Sequence, residues 1–179
     1  MTADKERPKS NVVLIGMPAS GKSTVGVILA KALGCGFIDT DILIQTSENR
    51  CLEEIIQEKG TDGFRSIEET RICGLDVTRH VIATGGSAVY SPAAMEHLAC
   101  RGLVVHLDVA LADLRERLGD LDARGVLYAP GQDLAGLYGE RLPLYRQWAD
   151  ISIDCRGRSA GRICAAIHSG LLQSTLFAS

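Results

Sequence analysis

The sequence has few aromatic residues and no excess of positive charge. Phe, Tyr and Trp make up 4% of the 179 residues, and the formal net charge at pH 7 is -3. Proteins that bind nucleic acid need a basic surface, and those that bind single strands also stack bases on aromatic side chains. These two absences argue against a nucleic-acid partner and favour a small molecule.

The sequence also lacks the marks of membrane insertion, export and metal-binding cysteine pairs. No apolar run approaches the ~18 residues of a membrane span, and the first ten residues, MTADKERPKS, contain no apolar signal segment. None of the six cysteines forms a C-x-x-C pair, so neither a zinc ribbon nor a thioredoxin-like motif is indicated. We therefore expect a cytoplasmic protein with buried thiols, no membrane partner and a disordered segment over residues 1–10.

Short apolar runs that are typical of buried strands alternate with amphipathic segments that predict helices. The predicted strands are residues 11–16, 36–39, 80–84, 103–109 and 151–154. The predicted helices are residues 22–33, 42–46, 52–58, 64–77, 93–99, 111–118, 134–148 and 162–172. This order predicts an α/β fold over residues 1–179, with a five-stranded parallel sheet covered by helices on both faces.

The stretch GMPASGKST, residues 16–24, stands between the first predicted strand and the first predicted helix. Glycines at this spacing let successive backbone N–H groups point at phosphates, and the positive end of the helix adds to the attraction. Lys22 would reach the β- and γ-phosphates, and the Ser23 hydroxyl would bind Mg²⁺. A Gly-rich turn of no function is the alternative, but the strand–loop–helix context favours phosphate binding.

The second motif is acidic: DTD, residues 39–41, begins at the last residue of the second predicted strand. The carboxyl ends of parallel strands face the ligand crevice of such a sheet. One aspartate there could hold Mg²⁺ and the other could accept a proton from an attacking hydroxyl. The alternative is that these acids only cap the next helix.

Three further features remain ambiguous from the residues alone. Arg65 could bind an anionic group of a substrate, or pair with Glu68 or Glu69 on a helix surface. TGGSAV, residues 84–89, could admit a ligand close to the backbone, or be an ordinary turn. Residues 119–133 are long enough for a lid carrying Arg124 towards the transferred phosphoryl group, or for a surface loop.

Taken in order, GMPASGKSTVG, FIDTD, FRSIEE, GGSAV and ERLPLYRQWAD resemble the shikimate kinases, a family of small P-loop kinases related to nucleoside monophosphate kinases. The resemblance runs from about residue 12 to residue 167. It implies a three-layer α/β/α P-loop kinase fold, with a substrate-binding subregion near residues 39–70 and a lid near residues 119–133. It also implies ATP and Mg²⁺ as cofactors and, as the activity, phosphorylation of the 3-hydroxyl of shikimate in aromatic amino acid biosynthesis.

The resemblance implies a role for each matching residue. Lys22, Asp41 and Arg124 would be catalytic, and Ser23 and Asp39 would hold the metal. The shikimate site would consist of Asp41, Arg65, Gly85, Gly86 and Arg141, of which the two arginines would clamp the carboxylate. The ATP site would consist of Gly16, Ala19, Ser20, Gly21, Lys22, Ser23, Thr24, Arg117, Arg124 and Arg158.

The chain departs from the family pattern at two positions. Ser87 stands where the family has the third of three glycines, and Gly125 follows Arg124 where the family has proline. Ser87 could narrow the pocket, add a hydrogen bond or point into the fold. We expect a monomeric shikimate kinase; the alternatives are a kinase of another hydroxylated carboxylate or sugar acid, and a nucleotide-binding regulator without catalysis.

Overall fold

A computed structural model describes residues 9–118 and 132–174 of the chain. Its five strands are β1 (Asn11–Ile15), β2 (Gly36–Asp39), β3 (His80–Ala83), β4 (Gly102–Asp108) and β5 (Ile151–Asp154). They form one parallel sheet in the order β2-β3-β1-β4-β5. The predicted α/β fold with a five-stranded parallel sheet is therefore confirmed.

Seven helices connect and cover these strands in the described part of the chain. They are α1 (Lys22–Leu33), α2 (Thr40–Glu48), α3 (Leu52–Cys73), α4 (Pro92–Arg101), α5 (Leu111–Leu118), α6 (Leu134–Trp148) and α7 (Ala160–Gln173). A short 3₁₀ turn, Ala88–Tyr90, lies between β3 and α4. Among the described residues, no helix is both long and apolar enough to span a membrane.

The core lies on both sides of the central strands. All five residues of β1 and the first six of β4 are buried in succession, rather than at every second position. A strand buried on both faces needs an apolar side chain at nearly every position, which is why these strands read as continuous apolar runs. The sheet is therefore covered on both faces, and the loops at its carboxyl edge are held by a rigid base.

A second, smaller apolar cluster lies between α2 and α3. Its buried members are Ile44, Ile55 and Phe64. Gly60 interrupts α3 with φ 68° and ψ -179°, a backbone conformation that favours glycine. The sequence predicted two helices here, ending at Glu58 and restarting at Phe64, and the interruption at Gly60 explains that pattern. The second half ends at Cys73, four residues earlier than predicted.

The expectation of buried thiols is only partly correct. Cys155 and Cys164 are buried, Cys35 is half-buried, and Cys51, Cys73 and Cys100 are exposed free thiols. The three exposed cysteines lie at helix ends, where the chain runs along the surface. The predicted disordered segment lies outside the described residues apart from residues 9 and 10.

Candidate active site

The carboxyl edge of the sheet holds a cavity of about 400 Å³. The strand order places β3 and β4 on either side of β1, so the loops after β1 and β3 leave the sheet side by side. Ligands of open α/β sheets bind where the strand order reverses in this way. The described residues lining the cavity come from the phosphate loop, from α2, α3, α5 and α6, and from the loop after β3.

The phosphate loop forms one wall of this cavity. Gly16 has φ 147° and a Cβ there would meet Leu107 O at 2.9 Å, so this position requires glycine. Lys22 Nζ donates to Gly16 O and to Met17 O, both at 2.8 Å. Burial lowers the pKa of Lys22 to about 8 even though the Asp41 charge acts to raise it. The ammonium is thus held within the loop, next to the exposed Ser23 and Thr24 at the start of α1.

The two aspartates of DTD have different surroundings. Asp39 Oδ1 accepts from the backbone N–H of Asp41 at 3.0 Å and of Ile42 at 3.4 Å, so Asp39 caps α2, while Asp41 lies in the first turn of that helix. Asp41 lines the cavity. Burial, reinforced by the Asp39 charge, raises the pKa of Asp41 to about 6. A carboxyl group with a raised pKa in a cleft is a candidate general base.

Glu68 on α3 and Ser87 after β3 form a hydrogen bond beside the cavity. Ser87 Oγ donates to Glu68 Oε2 at 2.7 Å, and Glu68 is 2% exposed. Glu68 Oε1 is buried and has no hydrogen-bond partner among the described residues. Burial raises the pKa of Glu68 to about 7, and the Ser87 hydroxyl opposes that rise. Ser87 therefore lines the cavity and uses its hydroxyl group to support a buried carboxyl group.

Two glycines keep this wall close to the ligand space. A Cβ on Gly85 would clash with Glu68 Oε1 and would lie 2.7 Å from Asp41 Oδ1, so both carboxylates face this backbone. A Cβ on Gly86 would lie 3.0 Å from Arg141 Nη1. Tyr145 Oη donates to Gly86 O at 2.7 Å, and the Tyr145 ring stacks on His106 at 5.2 Å. Buried aromatic residues therefore fix the position of the glycine loop.

The two predicted clamp arginines occupy different positions. Arg141 on α6 is 1% exposed and lines the cavity. Arg65 on α3 is half-buried, is not among the cavity-lining residues, and its Nε has no partner among the described residues. Both guanidinium groups lie over the ring of Tyr90, at 4.3 Å for Arg65 and 5.2 Å for Arg141. The alternative, a surface pairing of Arg65 with Glu68 or Glu69, is not seen among the described residues. Glu68 is buried and accepts from Ser87, and Glu69 accepts from Ser91.

The three remaining predicted arginines fall in different places. Arg117 on α5 lines the cavity and donates to Ala19 O at 3.4 Å. Arg158 is exposed after β5 and is not among the described cavity-lining residues. Arg124, Gly125 and nearly all of the predicted lid lie outside the described residues, so the lid assignment stays a prediction.

The comparisons with known proteins agree with this geometry. The family model for shikimate kinase matches residues 18–171. The chain belongs to the shikimate kinase family. A shikimate kinase of Mycobacterium avium is 41% identical over 163 residues, which are 89% of this chain and 92% of that protein. One of Thiobacillus denitrificans is 37% identical over 91% of both chains.

Solved structures show the same relationship. The shikimate kinase of Acinetobacter baumannii in complex with shikimate matches with a TM-score of 0.87 and 32% identity, over 94% of this chain and 96% of that one. The Aquifex aeolicus shikimate kinase matches with a TM-score of 0.81 and 30% identity, over 94% of this chain and 99% of that one. The family resemblance inferred from the sequence motifs is confirmed.

Sequence reasoning missed residues that hold the predicted residues of the shikimate kinase site in place but have no predicted chemical role themselves. Glu68 was assigned only a surface pairing, although it lies in the FRSIEE motif and three residues from Arg65, on the same side of α3. Tyr90 gave no signal, since its contacts with Arg65 and Arg141 join three segments far apart in the chain. Only the structure brings these residues together.

Proposed function

We propose that this chain transfers the γ-phosphoryl group of ATP to the 3-hydroxyl of shikimate, giving shikimate 3-phosphate and ADP. One observation carries the proposal. The phosphate loop with Lys22 forms one wall of a single cavity, and Asp41 and Arg141 are on its other walls. A phosphate donor and a hydroxylated carboxylate would therefore meet inside one site.

The donor half of the site is the loop at residues 16–24. Backbone N–H groups of this loop and the start of α1 attract phosphate oxygens, and Lys22 supplies a positive charge. When ATP enters, the Lys22 ammonium would exchange its bonds to Gly16 O and Met17 O for phosphate oxygens. Its shift towards phosphate is favourable, because an anion next to a buried ammonium stabilises the charged form.

The residues present fit the magnesium ion that shikimate kinases use with ATP. The described residues contain no group of three acidic, His or Cys side chains that could hold a metal ion by itself. Magnesium in phosphoryl transfer takes only one or two protein oxygens and completes its shell with phosphates and water. Ser23, which lines the cavity, would supply one such oxygen, and Asp39, at the end of β2 but not among the described cavity-lining residues, would supply another. The ion would neutralise charge that develops on the phosphates.

The acceptor half of the site is built from charge and hydrogen-bonding groups. A buried carboxylate of a substrate needs a paired cation, and the buried Arg141, with Arg65 beside it, supplies positive charge. Asp41, lining the same cavity, would accept the proton of the attacking hydroxyl. The backbone at Gly85 and Gly86, which has no side chains, would let the ring of the acceptor lie close.

A coupled assay of ADP release with Mg-ATP and a panel of hydroxy acids tests the proposal. We expect turnover with shikimate and much lower kcat/KM with other hydroxylated carboxylates and sugar acids. Turnover with a different acid and none with shikimate would overturn the acceptor assignment. Tight ATP binding without turnover on any acceptor would favour the regulator, which the intact Lys22, Ser23 and Asp41 argue against.

We also propose that the chain works in the cytoplasm as a monomer on small-molecule substrates, without nucleic-acid or membrane partners. The acidic net charge and low aromatic content support the first of these exclusions. Residues 39–70 are proposed as the substrate-binding subregion. The separate apolar cluster around Ile44, Ile55 and Phe64 supports that assignment, because it gives α2 and the first half of α3 a small core of their own.

A further inference from the structure

Tyr90 contacts both arginines that the proposed acceptor site uses, although it is not among the cavity-lining residues. It ends the 3₁₀ turn after β3, and its backbone N–H donates to Ser87 O at 3.0 Å. The next residue, Ser91, caps α4 by accepting from Ala94 N at 3.0 Å. Because a turn and a helix start fix both sides of Tyr90, its ring has a rigid backbone beneath it.

Two guanidinium groups, one from α3 and one from α6, lie over the ring of Tyr90. Arg65 Cζ lies 4.3 Å and Arg141 Cζ 5.2 Å from the ring centroid. Cations within about 6 Å of an aromatic face are attracted by its quadrupole. Two guanidinium groups repel each other when no anion lies between them. The Tyr90 ring offsets part of that repulsion, because it attracts a guanidinium group from each helix.

The hydroxyl group of Tyr90 adds directional bonds to this arrangement. It accepts from Arg141 Nε at 3.2 Å and donates to Glu140 Oε1 at 2.7 Å. Glu140 Oε2 in turn accepts from Gln132 Nε2 at 2.6 Å. With Nε bonded to Tyr90, the Nη end of Arg141 faces the backbone of Gly86 and the cavity. The ring and the hydroxyl therefore both orient the guanidinium groups.

We propose that Tyr90 is a positioning residue for the acceptor carboxylate: its ring holds Arg65 close to Arg141, and its hydroxyl orients Arg141 towards the cavity. The proposal deepens the proposed function and rests on it in one respect, that the acceptor carries a carboxylate. Tyr90 itself touches neither the acceptor nor ATP in this scheme. A rigid, pre-oriented pair of cations lowers the entropy that the arginine side chains lose when the acceptor binds.

The test compares Tyr90→Leu, which removes the ring, with Tyr90→Phe, which removes only the hydroxyl. For Tyr90→Leu we expect KM for shikimate to rise about tenfold, which corresponds to 1.4 kcal/mol. We expect kcat and KM for ATP to stay within about threefold. Tyr90→Phe keeps the cation–π contacts and should raise KM for shikimate by a smaller factor. An unchanged KM for shikimate in Tyr90→Leu would overturn the proposal.

A neutral acceptor analogue separates positioning of the arginines from a general structural role. The carboxylate of shikimate is replaced by a hydroxymethyl group, and the analogue is measured as a competitive inhibitor against shikimate. If Tyr90 acts through the arginines, Tyr90→Leu weakens shikimate binding but leaves the inhibition constant of the analogue nearly unchanged. An equal loss for both ligands would show a structural role and contradict the proposal. If Tyr90→Leu does not fold, Tyr90→Met, which also removes the ring but keeps an unbranched apolar side chain, provides the same comparison.

These experiments distinguish a failure of this inference from a failure of the proposed function. If the wild-type chain turns over a different hydroxylated carboxylate, the Tyr90 variants are measured with that acid and its neutral analogue. If the true acceptor has no carboxylate, wild-type turnover shows that directly, and the positioning role fails with it. If shikimate is the acceptor and Tyr90→Leu changes nothing, only the positioning role is wrong.

Discussion

At the scale of single residues, the acceptor side of the cavity depends on two carboxyl groups whose negative charge is opposed by burial. Asp41 and Glu68 both face the backbone of Gly85, and the pKa of each is raised, to about 6 and about 7. Removing the charge of Asp41 and removing the charge of Glu68 should therefore change different properties of the protein. Asp41 reaches the cavity, whereas Glu68 is bonded to Ser87 behind it.

Asp41→Asn tests the proposed general base. We expect kcat to fall by about 100-fold or more, since a positioned base contributes 10²- to 10⁴-fold, while ATP affinity stays within about twofold. Steady-state kinetics and calorimetric titration with ATP measure the two effects. Asp62→Asn, at an exposed position on α3, is the matched control and should change neither. A large loss of ATP affinity in Asp41→Asn would contradict the assignment.

Glu68→Gln tests the cost of a buried charge. Glu68 has a pKa of about 7 in the folded chain against an ordinary value of 4.5, so the folded state binds more protons between these values. Stability therefore falls as pH rises through this window, and the loss is complete above pH 7. The free energy of unfolding of Glu68→Gln minus that of wild type should therefore be larger at pH 8 than at pH 4.5, by up to about 3 kcal/mol.

Denaturant unfolding at the two pH values measures this difference. Glu96→Gln, at an exposed position on α4, should show no such dependence on pH. A stability difference between Glu68→Gln and wild type that is the same at both pH values would show that Glu68 carries no buried charge. Kinetics of the same variant would show whether the charge serves acceptor binding, in which case KM for shikimate rises as stability improves.

The sequence predicted the residues that carry motif chemistry better than those that support them. GMPASGKST, DTD and the two arginines were found because chemistry requires those residue types at fixed positions. The Ser87 hydroxyl, in contrast, could have narrowed the pocket or pointed into the fold. Ser87 lines the cavity, and only the structure shows that its hydroxyl donates to Glu68. A side chain's direction depends on neighbours from distant segments, and a single sequence does not contain that information.

At the scale of elements, α3 combines two tasks because Gly60 interrupts it. Its first half packs Ile55 against α2, and its second half carries Arg65 and Glu68 to the site. An uninterrupted helix would rotate the second half relative to the first and move these side chains. The backbone at Gly60 thus links a small apolar cluster to the acceptor site.

Gly60→Ala tests this link. A Cβ there finds open space, but φ 68° with ψ -179° lies in a region that is essentially restricted to glycine. We expect a loss of stability of about 1–3 kcal/mol and a higher KM for shikimate. Gly139→Ala in α6, where a Cβ also finds open space, should instead gain about 0.5–1 kcal/mol. A gain in Gly60→Ala would show that the helix can straighten without strain.

The elements themselves were largely predictable from the sequence. All five strands were found. The central strands β1 and β4 are buried on both faces and have continuous apolar runs, whereas the edge strands β2 and β5 are only partly buried. The extent of the second half of α3 was less accurate, since residues 74–77 continue an apolar pattern after Gly74 ends the helix. Turn chemistry at a helix end overrides such a pattern.

At the scale of the whole molecule, the donor and acceptor halves of the cavity should stabilise the fold independently. At a hundred times its dissociation constant, a ligand adds about 2.7 kcal/mol, which for this chain length corresponds to roughly 5–10 °C in Tm. Both ATP with Mg²⁺ and shikimate should raise the Tm of the wild-type chain. Arg141→Met should keep the shift with ATP and lose most of the shift with shikimate.

Thermal unfolding with each ligand alone measures both shifts. Arg146→Met, at an exposed position on the same helix, is the matched control and should behave as wild type. Loss of the ATP shift in Arg141→Met would show that the two halves of the cavity are not separable. An unaltered shift with shikimate would show that Arg141 does not bind the acceptor.

The sheet order also affects how the chain is made. Strand β1 carries the phosphate loop and lies at the centre of the sheet, yet its partners are β3 at residues 80–83 and β4 at residues 102–106. At the ~5–20 residues per second of protein synthesis, the apolar stretch Asn11–Ile15 waits several seconds for its first partner strand. An unpaired apolar strand is open to aggregation during that time. Slower synthesis would lengthen this interval, and a chaperone that covers the strand would protect it.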